Sequence, residues 1–105
     1  MMTMPPAARI SVPQEEIAGL CRRYRVRRLS LFGSVIRDDF GPKSDVDVLV
    51  ELEPGAGIGF FGLGRMENEL GEILGRKVDL VTPGGLSRYF RDEVLEEALP
   101  VYDAA

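Results

Sequence analysis

The segment from Asp45 to Leu52, Asp-Val-Asp-Val-Leu-Val-Glu-Leu, limits the fold more than any other stretch of this chain. Successive side chains of a strand point to opposite faces, so Val46, Val48, Val50 and Leu52 share one apolar face. β-Branched valine also favours an extended backbone. A strand with one wholly apolar face has to bury that face, which ties it to a sheet packed against other elements.

Those other elements can be read along the chain. Residues 1–10 carry no periodicity and include Pro5 and Pro6, the pattern of a loose tail ahead of a domain over 11–105. Ser11 and Gln14 have the spacing of a capping box, with Pro13 tolerated in the first turn. Ile17, Leu20, Cys21 and Tyr24 then form one helical face. Val26 to Phe32 predicts a strand, and Val35 to Phe40 a short helical turn ended by Gly41-Pro42. Pro54 and the glycines between Gly55 and Gly64 predict a flexible loop. Leu63, Met66, Leu70, Ile73 and Leu74 carry a second helix closing near Gly75, and Lys77 to Val81 a short strand. Leu86, Tyr89, Phe90 and Val94 predict a last helix, and Leu99 to Tyr102 a final strand. Strands alternating with helices give an α/β (α+β) chain around one sheet. At 105 residues it holds one small domain, which buries about two-thirds of its unfolded surface.

Composition removes several kinds of chemistry. The chain has no His, hence no imidazole base and no His-ligated metal. Its one Cys, Cys21, permits neither an internal disulfide nor a cysteine zinc cage, and on an apolar helix face it reads as a buried structural thiol. Carboxylates, hydroxyls and Arg/Lys remain, an inventory suited to hard divalent cations such as Mg²⁺. A net charge of −4 argues against nucleic-acid binding by bulk electrostatics. No apolar run approaches the ~20 residues of a membrane span, and no secretion signal is evident, so a cytoplasmic, membrane-free location is expected. The cluster Arg22, Arg23, Arg25, Arg27 and Arg28 reads first as a solvated helix end, and second as an anion- or partner-binding edge.

The acids carry the chemistry. Asp45 and Asp47 share the face opposite the valines, about 7 Å apart, where like charges repel unless a cation lies between them. A solvated acidic face is the plainer explanation, but it leaves two residues of low strand preference unexplained. Asp79, in Val78-Asp79-Leu80, alternates out of its strand in the same way, and on a neighbouring strand it would complete a set able to hold two divalent ions. Gly33-Ser34 opens a helical turn, where a backbone free of Cβ and unbonded N–H groups suit a phosphate. Arg37 stands three residues beyond Ser34 and is read equally as an anion contact or as an ion pair with Asp38, Asp39 or a site carboxylate.

Gly33-Ser34, ten residues, Asp45-x-Asp47 and a later strand Asp79 together resemble the signature of the DNA polymerase β-like nucleotidyltransferases. Arg37, Ser44 to Val50 and Val78 to Val81 are similar to the minimal nucleotidyltransferase branch, over about Ile17 to Tyr102. The resemblance implies a mixed sheet of three to four strands with helices mainly on one face. It implies transfer of AMP from ATP to a hydroxyl, with Gly33 and Ser34 on the triphosphate and Asp45 and Asp47 on Mg²⁺. Asp79 would then serve the metal beside the attacking hydroxyl and help take its proton. In that branch the partner is a HEPN-domain ribonuclease toxin, modified on a tyrosine by its antitoxin. The acceptor expected here is accordingly another protein, with the oligomeric state, homo- or hetero-, left open.

Two other readings compete. Gly57-x-Gly59-x-x-Gly62 spells a dinucleotide fingerprint, but Pro54 and several residues part it from the preceding strand, where that motif needs an immediate turn. As a plain loop it reads as a hinge, a lid over the nucleotide, or a tolerant connection. The second reading is a non-catalytic module that neutralises its partner by occlusion, using the basic cluster and Phe60, Phe61, Tyr89 and Phe90, although such aromatics more often lie in a core.

Overall fold

The computed structural model describes Ile10, residues 12–36, Gly41 and residues 44–104, and the structural statements below concern those residues. The elements run α1 (Gln14–Arg23), β1 (Val26–Phe32), a 3-10 turn (Gly33–Ile36), β2 (Val46–Leu52), α2 (Phe60–Leu74), β3 (Val78–Val81), a second 3-10 turn (Pro83–Gly85), α3 (Arg88–Glu97) and β4 (Leu99–Asp103). The four strands form one sheet in the order β3-β2-β1-β4. β1 is antiparallel to β2 and β4, and β2 is parallel to β3, so the sheet is mixed.

The valine face of β2 is where the core lies. Val46, Val48 and Val50 are buried with Leu29 and Leu31 of β1 and Val78 of β3, and α1 and α2 cover them with Ile17, Leu20, Cys21, Met66 and Leu70. α1 suits its dipole, with Glu15 and Glu16 in the first turn and Arg22 and Arg23 in the last. Its N-cap is Pro13, which supplies no side-chain cap, and the Ser11 of the expected capping box lies outside the described residues. Arg23 Nη1 meets Glu69 Oε1 at 2.9 Å, and the Tyr24 hydroxyl donates to the other oxygen of Glu69, tying the end of α1 to α2. Those hydrogen bonds hold the Glu69 carboxyl below its ordinary pKa and push the Tyr24 hydroxyl up. α2 ends on Gly75 in the left-handed conformation (φ 68°), and Arg76 N–H closes onto the Gly71 carbonyl at 3.2 Å.

Three expectations change. The glycine-rich loop is shorter than its composition implies: α2 already begins at Phe60, and Gly62 and Gly64 are helical. This connection leaves the Leu52 end of β2, roughly 17 Å along the strand from Asp47, so it cannot be a lid over the acids. The aromatics do not fill a core: Phe60, Phe61 and Tyr89 are 88%, 85% and 78% exposed, and α3 buries no residue at all. Helical spacing set Tyr89 and Phe90 on α3, while Phe60 and Phe61, expected in the loop, open α2; the buried core is filled by other side chains. Ser30 and Leu49, opposite one another in register, are buried on the face away from α1 and α2, and the Pro83–Gly85 turn packs against β2. The third is the short turn expected over Val35 to Phe40: it starts earlier, at Gly33, and Phe40 lies outside the described residues.

Candidate active site

The sheet order assembles the acids. β2 and β3 run parallel, so their first residues lie at the same end, and the register sets Asp47 beside Asp79. Adjacent strands lie about 4.8 Å apart, which makes these two carboxylates neighbours on the face opposite Val46, Val48 and Val78. Asp45 precedes β2 by one residue and is exposed, as is Asp79, while Asp47 is half-buried. Burial raises the pKa of Asp47 above the ordinary aspartate value, and the charges of Asp79 and then Asp45 raise it further. Asp79 and Asp45 therefore both act on Asp47.

Gly33 forms the wall of this group. Phe32 pairs with Asp47 across β1 and β2, and the chain then turns through Gly33 at φ 75°. A Cβ there would run into the Asp47 carboxylate, coming within 3.2 Å of its Cγ. Only glycine lets the backbone pass this close in this conformation. Ser34 follows in the same 3-10 turn and is half-buried. Arg37 lies outside the described residues.

The donor set fits a hard divalent cation, because it consists of carboxylate oxygens that repel one another when charged. Among the described residues no group of three or more His, Cys, Asp or Glu is arranged to hold a metal ion by itself. Neighbouring like charges hold apart, and a site of this kind draws its remaining ligands from substrate phosphates. An open groove between α1 and α2, lined by Glu16, Arg23, Glu69 and Glu72 among others, lies on the helical side of the sheet and takes no part.

One group near the site is invisible to strand and helix patterns. Arg76 Nη2 donates to the carbonyls of Gly41 at 2.7 Å and Ser44 at 2.8 Å. Gly41 and Ser44 are bonded to each other by Ser44 N–H to the Gly41 carbonyl at 3.1 Å and Gly41 N–H to Ser44 Oγ at 3.0 Å. The only advance signal was an arginine next to the helix-ending Gly75.

Comparison with known proteins shows the family and the fold. The model of the family described as "Nucleotidyltransferase domain" matches residues 15–101. A Methanocaldococcus jannaschii protein named "Putative protein adenylyltransferase MJ0435" is 35% identical over 88 residues, covering 84% of this chain and 92% of its own. The Thermococcus cleftensis "Protein adenylyltransferase MntA" is 35% identical over 82 residues, covering 78% of this chain and 81% of its own. A solved structure described as a "putative minimal nucleotidyltransferase" superposes with a TM-score of 0.70 at 37% identity, over 83% of this chain and 87% of that one. A toxin–antitoxin structure containing AMP-PNP, at 20% identity and a TM-score of 0.70 over 89% of this chain and 75% of that one, shares the fold.

Proposed function

Because this chain belongs to the nucleotidyltransferase family and is a nucleotidyltransferase, we propose that it transfers AMP from ATP to a hydroxyl of a partner protein, acting as an antitoxin. The acceptor is a tyrosine of a HEPN-domain toxin, and the reaction takes place in the cytoplasm with Mg²⁺. The observation that carries this reading is the convergence of Asp45, Asp47 and Asp79 beside a glycine whose Cβ position the Asp47 carboxylate occupies. Relatives named as protein adenylyltransferases and the fold shared with a toxin–antitoxin assembly support the choice of acceptor class.

In this reading Gly33 and Ser34 hold the triphosphate, with Arg37 as a further phosphate contact. Asp45 and Asp47 hold Mg²⁺, shared with Asp79. The bound ions would neutralise charge on the phosphates and on the attacking and leaving oxygens. The acceptor oxygen attacks the α-phosphorus, the bond from that phosphorus to the bridging oxygen breaks, and pyrophosphate leaves. Asp79 takes the acceptor's proton. Most of the rate gain comes from positioning and electrostatics, which need no His.

A second reading has its own observation: Phe60, Phe61, Tyr89, Phe90 and Leu95 are exposed large apolar residues, enough to dock a partner without chemistry. One experiment separates the two. The protein is incubated with Mg²⁺, the product of a neighbouring HEPN-type gene, and ATP labelled at the α- or the γ-phosphate. Label on the partner from α-labelled ATP alone, lost in Asp45→Ala/Asp47→Ala, is the expected result. Full neutralisation of the partner by that double variant, with no label on protein, refutes the enzymatic antitoxin.

A further inference from the structure

Asp45 stands outside the ladder that fixes Asp47 and Asp79. It is exposed and precedes β2, so its direction depends on the two peptide groups that flank it. Both are held by one dipeptide. On the N-terminal side, the Ser44 carbonyl, part of the Ser44–Asp45 peptide, accepts from Arg76 Nη2 at 2.8 Å. On the C-terminal side, Val46 N–H donates to the Lys77 carbonyl at 2.8 Å. The same Arg76 nitrogen also takes the Gly41 carbonyl at 2.7 Å, and Gly41 is bonded in turn to Ser44.

From this bracket we propose that Arg76 is a positioning residue for the nucleotidyl-transfer site, orienting Asp45 toward Asp47 and Asp79 through the Ser44 carbonyl. The inference rests on the reading of Asp45 as a cation-holding carboxylate. Arg76 is suited to the task because its own backbone is anchored first. Gly75 turns left-handed at the end of α2, Arg76 N–H bonds Gly71, and two residues later the chain enters β3. Asp79 lies three residues beyond Arg76. One short segment thus sets the positions of acids on both sides of the site, and an error in its placement moves Asp45 relative to Asp79. A guanidinium serves better than an ammonium because its donors are planar and fixed, so two carbonyls can be met at once with little loss of freedom.

The test uses the full chain and compares wild type, Arg76→Met, Arg76→Lys and Asp45→Asn. Two quantities are read: amide hydrogen exchange at Ser44 and Val46, and Mn²⁺ affinity in the presence of AMP-PNP, followed by EPR. Arg76→Met is expected to speed exchange at Ser44 and Val46 while Val48 and Leu49 keep their protection. It is also expected to weaken Mn²⁺ binding about tenfold, the lower end of what loss of an outer-shell partner costs. Arg76→Lys should recover part of both. Unchanged Mn²⁺ affinity in Arg76→Met, or faster exchange spread evenly over β2 with no recovery by lysine, overturns the proposal. If Arg76→Met does not fold, Arg76→Lys alone decides by the same two readings. Asp45→Asn separates the layers: it should weaken Mn²⁺ binding without changing exchange at Ser44. Should Asp45→Asn leave Mn²⁺ binding intact, the reading of Asp45 as a ligand has failed, whatever Arg76 does.

Discussion

Alanine at Gly33 should meet two penalties that another glycine of this chain allows to be separated. Gly33 and Gly55 share a φ of 75°, but a Cβ at Gly55 finds nothing within 4 Å, whereas one at Gly33 meets the Asp47 carboxylate. Gly55→Ala therefore reports backbone strain alone, about 1 kcal/mol for a left-handed alanine. Gly33→Ala adds the displacement of a half-buried carboxylate, for which overpacking costs about 1–3 kcal/mol more. For a domain of this size each kcal/mol lowers Tm by roughly 5 °C. Thermal unfolding followed by circular dichroism should accordingly show losses of roughly 5 °C for Gly55→Ala and 10–20 °C for Gly33→Ala. In an Asp47→Ala background the excess at Gly33 should vanish, because the obstructing group is gone. Transfer of α-labelled AMP by Gly33→Ala should fall by about 10²-fold, the effect of a misplacement near 1 Å, while Gly55→Ala retains it. Equal melting losses for the two alanines, together with intact transfer by Gly33→Ala, would refute the placement of Gly33 against Asp47.

Three further outcomes are expected. Burial pushes the Cys21 thiol up to about 12, so in the folded protein at pH 8 it should resist a thiol reagent and react only after denaturant is added. Leu80 N–H, on the edge strand β3, donates to Glu67 Oε2 at 2.8 Å; Glu67→Ala should cost about 1 kcal/mol in urea unfolding and raise aggregation by baring that edge. Asp47 has a raised pKa when folded, so the native state binds its proton more readily than the unfolded state. In metal-free buffer the stability difference, wild type minus Asp47→Asn, should rise as pH falls through the folded pKa and level off below the ordinary aspartate value. A difference that falls over that range contradicts the burial and the neighbouring charges read at Asp47.

The parts of this molecule that a short repeat can encode were legible in its sequence. The valine alternation of β2, the helical spacing from Ile17 to Tyr24 and the Gly75 stop each depend on neighbours in the chain, and each appears in the structure. Two of the acids were legible for the same reason, since period-two alternation puts Asp47 and Asp79 away from the core, whereas Asp45 precedes β2. Their convergence needed a parallel β2–β3 pair, which no local pattern encodes. The exposed aromatics show the opposite failure. Helical spacing predicts a shared face for Tyr89 and Phe90, but burial of that face depends on what packs against it from elsewhere in the chain, and α3 buries no residue. Arg76 was missed because its role lies in backbone carbonyls 32 and 35 residues earlier in the chain.

Asp79 stands on the rim of the sheet, with β3 outermost and its carboxylate exposed. A rim is open on one flank, so water reaches the Asp79 carboxylate as freely as any hydroxyl does. Under the proposed chemistry the free enzyme hydrolyses ATP to AMP slowly, and the acceptor's own surface becomes the missing wall that shuts this leak. Turnover then belongs to the complex rather than to either protein, and a weakly docking partner is penalised twice, in occupancy and in the share of AMP lost to solvent.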